Sequence, residues 1–451
     1  MPVDQLIEPL RLFCASPSTS GNFHQLQTTA RLVANLMHRA GLDVKMERTS
    51  GAPVVLGWRM GRHPFTLLLY HHYDAAPPGP WRNWQHEPFQ LAEREGKIYG
   101  RGVAHGKGPL VAHLQALRAL LEAEQELPHG VIVVVEGEYL SGSPHVEEVI
   151  RRYASTGEVH ACLGSGGERD ADGRPFCYHG SKGLLQVRLT AKGPTVPLPS
   201  GLSVSVTNPL WRLVWAVSEV KGADEDIRIG GFYDLVEGPG RTERSLLRQV
   251  RINEAERLAA WGIPGFLFDL SGAALVRTEV TLPTCNLTSL HIDPPSALEN
   301  ACIPTAASAR LDFHLVPRQE PEEVFDLLCK HLEARLFQDI GVEKLSGAYA
   351  PVQSRGDDPF IQQLAAAGTP IFGAPLPVLP FGPFSQPLTF LARYLDAPVA
   401  SVAVARHDSQ EYGPNEHISP DDLVNHGRLL LELMTSTGAY LPAAVRHKEH
   451  A

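Results

Sequence analysis

Cysteine is sparse in this 451-residue chain, and the six present (Cys14, Cys162, Cys177, Cys285, Cys302 and Cys329) never fall at CxxC spacing. Neither a zinc knuckle nor a disulfide framework is indicated, and reduced thiols are expected. Basic stretches are missing too. The formal net charge is −10, which argues against nucleic acid or an anionic membrane surface as the main partner and leaves small molecules. No apolar run approaches the length needed to cross a bilayer, so no membrane partner is expected. The first residues, MPVDQLIEPLRLFCAS, carry Asp4 and Glu8 and space their apolar residues helically, unlike a secretory leader with its basic start and apolar core. A cytoplasmic protein is the expectation. Internal repeats and low-complexity tracts are also lacking.

What the chain does contain is a regular alternation of strands and helices. Residues 4–41 read as two amphipathic helices around SPSTSGN. They are followed by PVVLGWRM and FTLLLY as strands, a helix in PLVAHLQALRALLEAEQEL, and the apolar strand VIVVVEG. This order predicts an α/β fold with a mostly parallel sheet flanked by helices, whose ligands bind at the carboxyl ends of strands. From about Lys182 the pattern changes. LLQVRLTAKGP and ARLDFHLVP alternate as half-buried strands, while NPLWRLVWAVSEVK and PEEVFDLLCKHLEARL are amphipathic helices. Residues 183–352 therefore read as an inserted α+β domain, and 1–182 with 353–451 as a discontinuous α/β domain. In the latter part DPFIQQLAAAG, PLTFLARYLDA and PVASVAVAR resume the first pattern, and DDLVNHGRLLLELMTSTGAYL closes it as a helix.

The stretch LLLYHHYDAAPPGPW, residues 67–81, drives an apolar strand into two histidines and an aspartate, then into prolines that cannot extend a ladder. Alternation puts His72 and Asp74 on one side and turns His71 to the other. A carboxylate holding one ring nitrogen of an imidazole is the usual support of a metal-binding histidine. It also serves simply to pin a strand end, and spacing alone leaves both readings open.

Longer motifs carry a family resemblance. HYDAAPPGPWRNWQHEPFQLAEREGKIYGRGVAHGKGPLVAHLQAL, EGEYLSGS, DADGRPFCYHGSKGLLQVRLTAKGP, GFYDLV and EYGPNE follow one another in the order and spacing of the M20 metallopeptidases. The chain thus resembles the aminoacylase and carnosinase-like dipeptidase branch of that family. The resemblance implies the M20 catalytic fold, an inserted lid/dimerisation domain, a homodimer formed through it, and an amide-like or amino-acid-derived substrate. It also implies two bridged divalent metals. Their ligands come from an HxD histidine, an aspartate in GRGxxD, a glutamate pair before xGS, an acidic residue before the lid, and a histidine before PNE.

On this chain those positions fall on His72, His105, Tyr139 with Leu140, Ser165 and Tyr412. Only His72 keeps a family ligand. A bridging position needs two donor atoms facing two metals, which a neutral imidazole lacks, and Leu140 has no donor at all. No dinuclear metal site and no cofactor are expected. The lid histidine of many members is replaced by Pro199 in PLPSG, and a small-residue turn by Pro383 and Phe384 in GPFSQP.

The altered pocket remains polar and ionisable, with His72, Asp74, His105, Glu138, Tyr139 and Tyr412 as candidate catalytic residues. Ser165, Ser385 and Asn415 are candidate substrate contacts, Asn415 and Glu416 also shaping the PNE loop. In the leading reading Asp74 fixes the tautomer of His72, which acts as a base, and Tyr139 or Tyr412 donates to an oxyanion in metal-independent acid/base or acyl-transfer chemistry. One alternative is a non-catalytic binding or scaffold protein. Another is a hydrolase with one zinc on His72 and His105, helped by Asp74 or Glu138. Cys177 is a nucleophile only if a base adjoins it, and His407 and Asp408 lie in the loop before Tyr412.

Overall fold

The computed structural model describes residues 2–154, 158–248, 250–295 and 301–436. These form two compact units, one of Met1–Ser181, Pro239–Val280 and Gln353–Ala451, the other of Lys182–Gly238 and Thr281–Val352.

In the first unit the apolar runs become an eight-stranded sheet. Its strands are β1 (Asp43–Glu47), β2 (Val54–Arg59), β3 (Gly61–His72), β4 (Leu127–Glu136), β5 (Ala161–Ser165), β6 (Cys177–Tyr178), β7 (Val378–Leu379) and β8 (Val399–Val402), in the order β1-β2-β4-β3-β5-β8-β6-β7. The centre is parallel, β3 lying between β4 and β5 with β8 beyond. Outside it, β1, β2 and β4 pair antiparallel, as do β8 and β6, while β6 and β7 at the far edge are parallel. The sheet is accordingly mixed, where alternation alone suggested a mostly parallel one. Leu67 to Tyr70 are all buried because both faces of the centre are covered.

One face packs under α1 (Asp4–Cys14), α2 (Phe23–Arg39), α3 (Lys107–Glu124) and α4 (Pro420–Ser436), whose Leu10, Val33, Leu114 and Leu430 join Leu67, Leu69 and Val133 in a single core. The part of the expected C-terminal helix beyond Ser436 lies outside the described residues.

The segment 239–280, which composition assigned to the insertion, clusters with the first unit instead. Leu247, Val276 and Val280 pack with Phe176, Tyr178 and Leu379, and the Arg257 guanidinium is shared between Glu279 at 2.9 Å and Glu168. Its helices are short, seven to ten residues each, so periodicity alone did not separate them.

The second unit is a four-stranded antiparallel sheet, ordered Thr284–Asp293, Ala306–Leu315, Gly183–Lys192, Ile340–Lys344. Burial alternates strictly along Ala306–Leu315. Leu311 and Phe313 meet Leu213 and Leu328 from the helices Pro209–Val220 and Pro321–Ala334, as a period of two on one covered face requires.

Back in the first unit, the turn from Arg101 to Gly106 is held by a single carboxylate. Glu416 accepts from Arg101 Nη1 at 2.9 Å and from the N–H groups of Gly102, Ala104 and His105 at 2.8, 2.9 and 3.2 Å. Burial pushes its carboxyl above the ordinary range despite these donors. Both partners of the ion pair are buried, so removing one leaves the other charge uncompensated, at about 3–5 kcal/mol. Glu416→Ala is expected to lower the unfolding free energy from urea melts by that amount with an unchanged m-value; a loss under about 1 kcal/mol would refute the anchoring role.

Candidate active site

The site grows from the end of β3. His72 faces Glu136 across the parallel ladder, and Asp74 follows just past the strand. The Asp74 side chain is fully buried and accepts four hydrogen bonds: from His72 Nδ1 at 3.0 Å, Leu140 N at 2.9 Å, Tyr139 N at 3.3 Å and Ser20 Oγ at 3.2 Å. A buried carboxylate costs too much to leave unpaired, and these donors hold its charge. The bond to Nδ1 sets the tautomer of His72, leaving Nε2 as an acceptor.

That second nitrogen lies against Gly106. The glycine has φ +88°, and a Cβ there would come within 2.7 Å of His72 Cε1 and 3.1 Å of Nε2. Only glycine meets both demands, a left-handed backbone and an imidazole at van der Waals range. Beyond the ring is a small cavity of about 10 Å³, room for about one water. Tyr70, His72, His105, Ser165, Gln386 and Glu411 line it.

Aromatic rings close around this space. Tyr139 stacks on His72 with centroids 4.3 Å apart and 15° between planes, and its hydroxyl donates to Ser385 O at 3.2 Å. His105 lies 4.6 Å from His72 and 5.6 Å from Tyr412, centroid to centroid. Burial, then neighbouring His72, holds His105 well below the usual imidazole range, so it is neutral at pH 7. Tyr412 itself is 65% exposed and stands at the rim.

Two candidates lie elsewhere. Glu138, expected beside His72, turns away to His145 Nδ1 at 2.7 Å, and both pack against Gly51. The reason is the backbone: its carbonyl accepts from the N–H groups of Ser141 and Ser143, folding the turn that aims Tyr139 inward instead. Asn415 is committed to loop shape rather than to a ligand. Its Oδ1 accepts from Gln85 N at 2.7 Å and its Nδ2 donates to Asn83 O at 3.3 Å, with φ +62°. Cys177 is buried, its thiol pushed up to about 12 by desolvation, and Asp408 is taken by Lys97 at 2.8 Å.

Below the cavity is a group that pattern reading missed. His71, expected to turn away, does contribute to the cavity wall, and its Nε2 meets His113 Nδ1 at 2.9 Å. His113 stacks on His426 at 4.2 Å and 12°, and His426 Nε2 meets Ser165 Oγ at 3.1 Å. The signal was available: His113 and His426 interrupt the apolar faces of two helices, α3 and α4. Glu411 was missed beside Tyr412; burial and the nearby Glu416 push its carboxyl up to about 8. Gln386, also missed, donates Nε2 to Ser165 O at 2.8 Å.

With this geometry in view, the comparisons are direct. The model of "Peptidase family M20/M25/M40" matches residues 68–436. The chain belongs to that family. Its M20 relatives include the Cys-Gly metallodipeptidase DUG1 of Saccharomyces cerevisiae, 26% identical over 63% of this chain and 60% of that protein, and the Beta-Ala-His dipeptidase of Mus musculus, 24% identical over 87% and 82%. The M20 chain thus spans about 60% of the length of the first of these relatives. Among solved structures, the M20 family metallo-carboxypeptidase Sso-CP2 from Sulfolobus solfataricus superposes with a TM-score of 0.87 at 28% identity, covering 95% of this chain and 98% of that one.

DUG1 and Sso-CP2 are named as metallo-enzymes, which raises the question of whether the donor set of the M20 chain fits a metal. Among the described residues no three His, Cys, Asp or Glu side chains converge as a metal-binding group. Asp74 has its oxygens filled by protein donors, and although Glu411 lines the cavity together with His72 and His105, the three do not form a metal-binding group. This set fits neither a carboxylate-bridged pair of ions nor a three-ligand zinc site.

The imidazole group makes a testable statement about stability. Burial holds His71 and His113 well below 6.5 and His426 at about 3. The unfolded chain takes up protons below pH 6.5 that the folded one refuses, so stability is full above 6.5 and falls as pH drops towards about 3. Each such histidine contributes up to about 1.4 kcal/mol per pH unit in that window. Urea melts at stepped pH check this, and His426→Gln should flatten the slope; an unchanged slope would contradict it.

Proposed function

We propose that this M20-family chain acts on an amide-like or amino-acid-derived small molecule by acid/base chemistry at His72 and Asp74, without a two-metal centre. The observation that carries the reading is the Asp74 carboxylate bound to His72 Nδ1 at 3.0 Å, which frees Nε2 beside the cavity. Asp74 orients the ring and stabilises the imidazolium formed when Nε2 takes a proton. His105, neutral and adjacent, offers a second exchange site. Tyr139 carries the nearest phenol, which now donates to a backbone carbonyl and would have to swing to reach a developing oxyanion. Family membership supports the substrate class, since named relatives act on dipeptides.

A second reading has its own support. A cavity with room for about one water admits no substrate as it stands, which suits a scaffold protein without turnover. A homodimer fits either reading.

One set of measurements separates them. Purified protein is assayed by elemental analysis, then against dipeptides, N-acyl amino acids and amino-acid amides, with and without chelator. Turnover that survives chelator and falls about 10²–10⁴-fold in His72→Ala, with circular dichroism showing the variant folded, is the expected result. One equivalent of zinc with chelator-sensitive turnover would replace this reading with a mononuclear hydrolase. Absence of turnover across the panel would leave the scaffold protein.

A further inference from the structure

β2, β3 and β4 have two faces, and only one belongs to the main core. Val55, Leu67, Leu69 and Val133 point into it, whereas Leu56, Leu68 and Val134, one residue out of phase, face the other way. On that side, against the helix Val146–Tyr153, is a cavity of about 400 Å³. Leu56, Trp58, Leu68, Ile132, Val134 and Ile150 contribute its walls. It shares no lining residue with the cavity beside His72.

Protein interiors are close-packed, and a void of this size forfeits the dispersion contacts of every side chain around it. Its volume falls within the range of about 300–1,000 Å³ typical of small-molecule sites, which are mostly apolar with few polar groups. The charges on its lining are confined to Arg59 and Glu158, which with Met60 are exposed. Glu158 has an imidazole within reach, His160 Nε2 at 3.9 Å. The Arg59 guanidinium makes no hydrogen bond or ion pair among the described residues. An apolar chamber with an uncommitted guanidinium at its mouth is complementary to an amphiphile with an apolar body and an anionic head.

We infer that this cavity is a binding site for a medium-chain carboxylate, its hydrocarbon body against the β2–β4 face and its carboxylate on Arg59. The site is independent of the chemistry at His72.

Trp58 supplies a built-in reporter. Titrating the full-length protein with a bromo-substituted dodecanoate is expected to quench tryptophan emission saturably, and the quench should vanish in Trp58→Phe. Arg59→Ala should weaken the bromo-carboxylate at least about 5-fold while changing the matching bromo-alcohol less than about 2-fold. Ile132→Trp, which fills the chamber, should abolish binding of both; circular dichroism identifies a misfolded variant, in which case Trp58→Phe and Arg59→Ala decide. No quenching up to the probe's solubility limit, or quenching that persists in Trp58→Phe, overturns the site. Equal responses of the two probes to Arg59→Ala overturn the carboxylate assignment.

Discussion

The buried Asp74 carboxylate is the constraint on which the site depends. It gathers three separate pieces of chain: the loop carrying Ser20, the end of β3 carrying His72, and the turn at 139–140. A charge taken out of water must be matched donor by donor, and here each donor is also a positional restraint. Fixing the tautomer of His72 and fixing the turn that carries Tyr139 are one event. The Glu416 carboxylate does the same for the turn bearing His105 and Gly106. Two buried acids therefore set the relative placement of the rings around the cavity.

On the proposed reading without a two-metal centre, that arrangement accounts for how an M20-family fold keeps its shape. Two divalent ions would bring four positive charges into a buried pocket, and carboxylates would have to balance them. The residues at those positions bring aromatic stacking and neutral hydrogen bonds instead. His72 stacks against Tyr139, His105 lies between them and Tyr412, and His113 stacks against His426. Such packing is directional and favours one geometry.

Much of this was legible in the linear sequence, for identifiable reasons. The period of two in ARLDFHLVP and the continuous run LLLY correspond to one-sided and two-sided burial, and the strands lie there. The His72–Asp74 pair follows from strand alternation alone. Less legible was whatever depends on a turn. Glu138 sits one residue from Tyr139, and only the reversal of the chain at Ser141 decides which of them enters the pocket. Asn415 reads as a ligand contact until its left-handed backbone assigns its amide to residues 83–85. His113 and His426 lie more than 300 residues apart and meet only because α3 and α4 pack together. The segment 239–280 was misassigned because its attachment rests on a few anchors, Arg257 foremost, and not on a periodic face.

The donors to Asp74 at positions 139 and 140 are main-chain amides. Any L-residue apart from proline supplies the same N–H, so the anchoring of this turn is blind to the side chains displayed there. Chemistry at those two places is thereby uncoupled from folding: carboxylates, a phenol or an isobutyl group can be exchanged on a mount that stays put. A scaffold with such interchangeable seats can change what it displays without being rebuilt.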